Sequence, residues 1–117
     1  MITVYGIPNC DAVKKARAWL TARGLDYTFN DFKKQGVPES QLHAWAKAAG
    51  WDKLINRQGT TWRKLDAALQ ASAATPLGAQ KLALSNSSII KRPVVTWLKG
   101  DVTVGFDPVR WGEIVTK

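Results

Sequence analysis

Between residues 2 and 31 the hydrophobic pattern changes period twice, and that narrows the fold more than any other feature of the chain. Ile2-Thr3-Val4-Tyr5 carries apolar groups on both faces, the pattern of a buried parallel strand. Gly6-Ile7-Pro8-Asn9 is a tight connection. Residues 11–23 then read as a helix, with Val13, Ala16 and Leu20 on one face and Lys14, Lys15 and Arg17 toward water. Gly24 stands where a helix ends. A second strand is expected over roughly 26–31. Strand, helix and strand in so short a space form a crossover unit, so the strands should be parallel and the connection right-handed.

Residues 33–37 read as a loop. Pro38 fits the first position of a second helix, in which Leu42, Trp45, Ala46 and Ala49 share a face. Residues 51–59 form a compact linker with a polar end. Thr61 is expected to cap a third helix from 62 to about 71, with Leu65 and Leu69 inward. Thr75-Pro76 opens a short fourth helix ending near 84, and residues 85–88 are loop. The middle third thus reads as a helical block without strand signal. Residues 94–98 and 102–106 flank Lys99-Gly100-Asp101 as a β-hairpin, and Asp107-Pro108 opens a last helix with Trp111, Ile114 and Val115 inward. The order β-α-β, three helices, β-β-α matches the thioredoxin architecture. The expectation is one α/β domain over 1–117, a four-stranded mixed sheet with flanking helices and a helical insertion at about 36–88, between strands two and three.

A chain of 117 residues suits one domain with a real core. It has no apolar run of ~18 residues and no basic-then-apolar leader, and its single cysteine cannot form an internal disulfide. A cytoplasmic, reducing location without membrane contact is expected. The net charge of +8 is scattered in doublets such as Lys33-Lys34 and Lys91-Arg92, without a basic stripe. That favours a small anionic partner over nucleic acid. Trp45 and Trp111 fit helix core faces rather than base stacking.

The only cysteine, Cys10, falls where the first strand hands over to the first helix. A lone cysteine is more often a small buried hydrophobe. This one follows Pro8-Asn9 in a polar turn, opens a helix whose N–H groups favour negative charge, and has Lys14 one turn along. Such surroundings push a thiol toward thiolate, the attacking form. Val13 stands where a Cys-x-x-Cys motif would place its second sulfur, so a resolving thiol must come from outside. His43 has no neighbour of ligand type and reads as surface or packing; no metal site is expected. In a thioredoxin-like sheet a proline opening the third strand, here Pro93, is typically cis and faces the active cysteine, leaving the preceding backbone to pair with an extended peptide.

Tyr5-Gly6-Ile7-Pro8-Asn9-Cys10-Asp11, Gly59-Thr60-Thr61-Trp62-Arg63-Lys64-Leu65 and Ile89-Ile90-Lys91-Arg92-Pro93, in that order, resemble the ArsC/Spx family, in its YffB-like branch. The resemblance spans essentially the whole chain. It implies that Cys10 attacks as a nucleophile, that Arg57 and Arg92 neutralise an oxyanion, and that glutathione resolves the intermediate. Bidentate arginine suits tetrahedral oxyanions on general grounds. Asn9, Lys14 and Pro93 are the further residues expected at the glutathione or substrate site. No cofactor is expected to stay bound; glutathione is the co-substrate. The partners implied are a small thiol, disulfide or oxyanion, with glutaredoxin a candidate reductant. The sequence departs from arsenate reductases at Gly6, where they carry a histidine, and at Val104-Gly105-Phe106, where they carry a third arginine. A less charged pocket suits glutathione or a glutathionylated thiol. The same resemblance offers a second expectation, a non-catalytic Spx-like regulator that binds RNA polymerase.

Overall fold

The computed structural model describes residues 1–116. The elements begin with β1 (Ile2–Gly6), α1 (Asp11–Ala22), β2 (Tyr27–Asp31) and α2 (Phe32–Gln35). Then come α3 (Glu39–Ala49), α4 (Trp51–Leu54), α5 (Thr60–Lys64), α6 (Ala67–Ser72) and α7 (Pro76–Ser85). A 3-10 turn (Ser87–Ile89), β3 (Val94–Thr96), β4 (Val102–Val104) and α8 (Pro108–Thr116) complete the chain. Two compact units result: Met1–Lys34 with the segment from Arg92 onward, and Gln35–Lys91.

In the first unit β1 is the central strand. It pairs parallel with β2 and antiparallel with β3, and β3 pairs antiparallel with β4, giving the order β2-β1-β3-β4. This is the mixed thioredoxin-like sheet expected from the element order. Side chains alternate along a strand, so Ile2 and Val4 share a face of the sheet. They join Val95 and Trp97 in one core with Ala16 and Leu20 of α1 and Trp111 of α8. Trp111 is fully buried and meets Trp19, Trp97 and Phe106 edge-on, with centroids 5.5, 5.0 and 5.0 Å away. Edge-to-face rings set the positive rim of one against the negative face of the next, and each such pair adds about 0.5–1.5 kcal/mol to simple burial. The Trp97 indole N–H donates to Thr103 Oγ1 across the hairpin at 3.0 Å. Arg17 of α1 lies 4.3 Å from the ring centre of Phe29 on edge strand β2 and donates to the hydroxyl of Tyr27 on the same strand at 3.1 Å.

The second unit is built from short helices around Ile55, Trp62, Ala73, Ala79, Leu82 and Ile89. Here several sequence expectations need correction. The third helix is not continuous. Leu65 and Asp66 are extended, and Asp66 instead caps α6, accepting the Leu69 N–H at 2.8 Å. A short acidic side chain competes with the helix for backbone amides, so it ends one helix and starts another. Leu69 is consequently 42 % exposed rather than inward. The Trp62 carbonyl accepts both the Leu65 N–H at 3.1 Å, which closes α5, and the Gln70 side-chain N–H at 2.9 Å, which ties α6 to it. Pro38 caps α3 from outside instead of opening it. Residues assigned to loop or linker form the single helical turns of α2 and α4. The block also contains one antiparallel bridge, Ile55 to Ile90, with the Lys91 N–H donating to the Leu54 carbonyl at 2.7 Å. Thr75 caps α7 as expected, accepting the Gly78 N–H at 3.1 Å. Among the described residues no helix is long and apolar enough to cross a membrane.

Candidate active site

Cys10 is the N-cap residue of α1, with extended backbone (φ −89°, ψ 129°). Its N–H donates to the Ile7 carbonyl at 3.2 Å, closing the turn that leaves β1. Its carbonyl accepts the Lys14 N–H at 2.9 Å, the first bond of the helix. The first N–H groups of a helix have no partner within it. The half-buried thiol makes no formal capping bond, yet its sulfur lies in their field.

Several effects act on that sulfur. Burial pushes the thiol pKa up. The Val13 N–H, a hydrogen bond and the positive charge from Arg92, and the Ala12 N–H together outweigh burial and hold the pKa below the ordinary thiol value. Amide hydrogens and a guanidinium stabilise only the anionic form, which is why they shift the equilibrium toward thiolate.

Arg92 stands at the entry to β3, where the backbone is fixed on both sides. The Arg92–Pro93 peptide is cis, as the sequence leads one to expect, and Pro93 is fully buried. The Pro93 carbonyl accepts the Gly105 N–H at 2.8 Å, which ties the start of β3 to the end of β4. Gly105 has φ +85°, a conformation that suits glycine alone at little cost.

Asn9 and Lys14 are exposed, on the turn before and the first turn after Cys10. Arg57 belongs to the second unit, in the turn between α4 and α5. It is 42 % exposed, donates to Asp52 Oδ1 at 3.1 Å, and lies 5.4 Å from the Trp62 ring centre. A hollow of about 250 Å³ there is lined by Lys53, Asn56, Gln58 and Lys91 as well. The structure thus brings Arg92 to Cys10, with the cis-bonded Pro93 following Arg92 in the chain, and sets Arg57 in a polar hollow of its own unit. Sequence reasoning missed that the Val13 and Ala12 amides are the ones acting on the sulfur; their place at the second and third helical positions was the available signal. Among the described residues no three His, Cys, Asp or Glu side chains cluster to hold a metal, and His43 is exposed on α3.

The ArsC family profile matches residues 5–114. Among solved structures, the YFFB (PA3664) protein superposes with a TM-score of 0.91 at 41 % identity, covering 97 % of each chain. An arsenate reductase (ArsC) related protein from Brucella melitensis superposes at 0.73 with 40 % identity, over 99 % of this chain and 95 % of that one. Among curated relatives, the global transcriptional regulator Spx of Staphylococcus saprophyticus is 24 % identical over 97 residues, 81 % of this chain and 72 % of its own length.

Proposed function

Because the chain belongs to the ArsC family, we propose that it is a glutathione-dependent monothiol reductase in which Cys10 is the nucleophile. The observation that carries this reading is the Cys10 sulfur flanked by the Arg92 guanidinium and the Val13 amide, with its pKa held low. The Cys10 thiolate attacks the glutathione sulfur of a glutathionylated thiol, forms a Cys10–glutathione mixed disulfide, and releases the other sulfur as a thiol. A glutathione thiolate then attacks the glutathione sulfur of that adduct. It frees Cys10 as thiolate, which takes the electron pair of the broken bond, and leaves as oxidised glutathione. Overall, one glutathionylated thiol and one glutathione become the free thiol and oxidised glutathione, one disulfide being consumed for each one formed. With an oxyanion substrate the first adduct would form on the central atom with loss of water; glutathione would then attack the Cys10 sulfur, releasing the central atom reduced by two electrons, and a second glutathione would clear the Cys10–glutathione disulfide as oxidised glutathione.

Arg92 serves twice in this scheme. Before attack it stabilises the thiolate; during attack it meets the negative charge of the incoming group. Family resemblance, rather than geometry, assigns Arg57 to anion binding, and Asn9, Lys14 and Pro93 to the surroundings of the glutathione peptide. A protein that only docks on a polymerase has no need of a stabilised thiolate, so the enzymatic reading is preferred.

Intact-protein mass spectrometry tests it. Incubation with oxidised glutathione should add one glutathione to the wild type and none to Cys10→Ser. A parallel incubation with arsenate and glutathione, read for arsenite, separates general thiol reduction from oxyanion reduction. Failure to form the adduct at a pH where free glutathione exchanges would refute the proposal.

A further inference from the structure

Two departures that look unrelated in the sequence, glycine at position 6 and valine at 13, meet in space. Gly6 ends β1 and continues the face that carries Ile2 and Val4, the face on which α1 rests. Val13 is fully buried on the first turn of α1. A Cβ placed on Gly6 would lie 2.7 Å from Val13 Cγ2, 3.7 Å from Val13 Cγ1 and 3.8 Å from Arg92 Cβ. The first distance is well inside carbon–carbon contact, which is optimal near 3.5–4.0 Å. Valine cannot swing away, because its branched Cβ restricts it to one preferred rotamer in a helix. Val13 therefore sits on the backbone of residue 6 itself, with the root of the Arg92 side chain alongside.

The same first turn carries Cys10 at its N-cap. Its height above β1 is set by what lies between helix and strand. We infer that the Gly6–Val13 contact is a positioning interlock that seats the start of α1 so that the Cys10 sulfur and the Arg92 guanidinium meet. Neither residue donates a side-chain group to the chemistry. Glycine supplies the absence of a side chain, and valine a stiff wedge that fills the space. A Cβ at 6 meets Arg92 only at ordinary contact distance, so the strain falls on Val13; a larger residue at 6 must lift the helix start, which separates the sulfur from the Arg92 guanidinium.

This inference rests on the proposed activated thiol, and its test separates the two. The readout is the pH midpoint of Cys10 alkylation, which a merely structural packing contact would leave in place. Wild type, Gly6→Ala and Gly6→Ala/Val13→Ala are compared at full length, with near-ultraviolet circular dichroism to confirm the fold. Gly6→Ala should raise the midpoint by at least about half a pH unit, which is roughly a threefold loss of thiolate below the midpoint. The double variant should bring it back toward wild type, since alanine at 13 removes the atoms that clash. An unmoved midpoint in folded Gly6→Ala overturns the interlock. So does a midpoint raised equally in both variants. If Gly6→Ala does not fold, recovery of fold and midpoint in the double variant supports the inference, and no recovery overturns it. A wild-type midpoint at the ordinary thiol value would instead overturn the activated thiol proposed above.

Discussion

Arg92 and Arg57 are the same residue type, expected from the same family resemblance to hold the same anion, and their two units treat them differently. Arg92 is half-buried, joined to a fully buried proline whose carbonyl is locked to Gly105. Arg57 is exposed, and its ion-pair partner Asp52 is 95 % exposed. A charge held by a packed framework acts on its neighbour at fixed distance and low screening. A charge on a surface ion pair is worth only about 0–1 kcal/mol and weakens with salt. The contrast extends to the units themselves. One gathers the rings of Trp19, Trp97 and Phe106 around Trp111 on a continuous sheet; the other joins short helices through caps such as Asp66 and Thr75.

The comparison breaks most sharply at the cores. Trp111→Ala should cost about 5 kcal/mol and Trp62→Ala about 3 kcal/mol, read as shifts of the urea midpoint by far-ultraviolet circular dichroism. Equal losses would mean that the aromatic hub adds nothing beyond ordinary burial.

At the arginines, Arg92→Ala should raise the Cys10 alkylation midpoint measurably, because it removes the hydrogen bond and the positive charge that favour the thiolate. The sign of the stability effect comes from linkage. The folded pKa of Cys10 lies below its unfolded value, so the unfolded chain binds the extra proton between the two. The thiolate's contribution to stability is therefore complete above the unfolded value of about 8.5 and lost as pH falls through the folded pKa. In Cys10→Ala this part of the pH dependence of the urea midpoint should vanish; its survival would assign it to another group.

Asp66→Ala should cost about 1 kcal/mol by removing the cap that starts α6. It sharpens the comparison, because the second unit has no ladder to absorb the loss. Arg57→Ala should be the mildest for stability, within about 0.5 kcal/mol. It should leave the alkylation midpoint where it is while slowing adduct formation with anionic disulfides. A midpoint that moved with Arg57→Ala would erase the distinction between the two arginines.

The parts of this molecule readable in the sequence are those written locally. The change of period at residues 6–10 marks the first strand and helix, Asp107-Pro108 marks the start of α8, and the Arg110 N–H to Asp107 bond at 3.1 Å is that cap. The break at Leu65 and Asp66 was missed because an apolar spacing of four continues across it, and only the competition for backbone N–H groups decides. The approach of Arg92 to Cys10 has no local signature. It was foreseen through the resemblance of three motifs, which carries information about pairing that spacing does not. Gly6 was legible as a departure from that resemblance, but its reason was not, since the atoms it makes room for belong to a different element.

The sheet also has a history in time. β1 is made early, yet its antiparallel partner β3 lies beyond the whole segment from Gln35 to Lys91. A ribosome-bound chain can form the β1–α1–β2 crossover at once, while the other edge of β1 waits, its hydrogen-bonding groups open. Pairing at that distance must overcome loop-closure entropy before it returns anything, so it comes late. Arg92 arrives with it. Until then Cys10 has its helix amides but not its guanidinium, and the newborn chain carries a less reactive thiol than the finished protein. Completion of the fold and arming of the sulfur are thus one event, and a chain interrupted before residue 92 exposes a cysteine that has yet to gain its full reactivity.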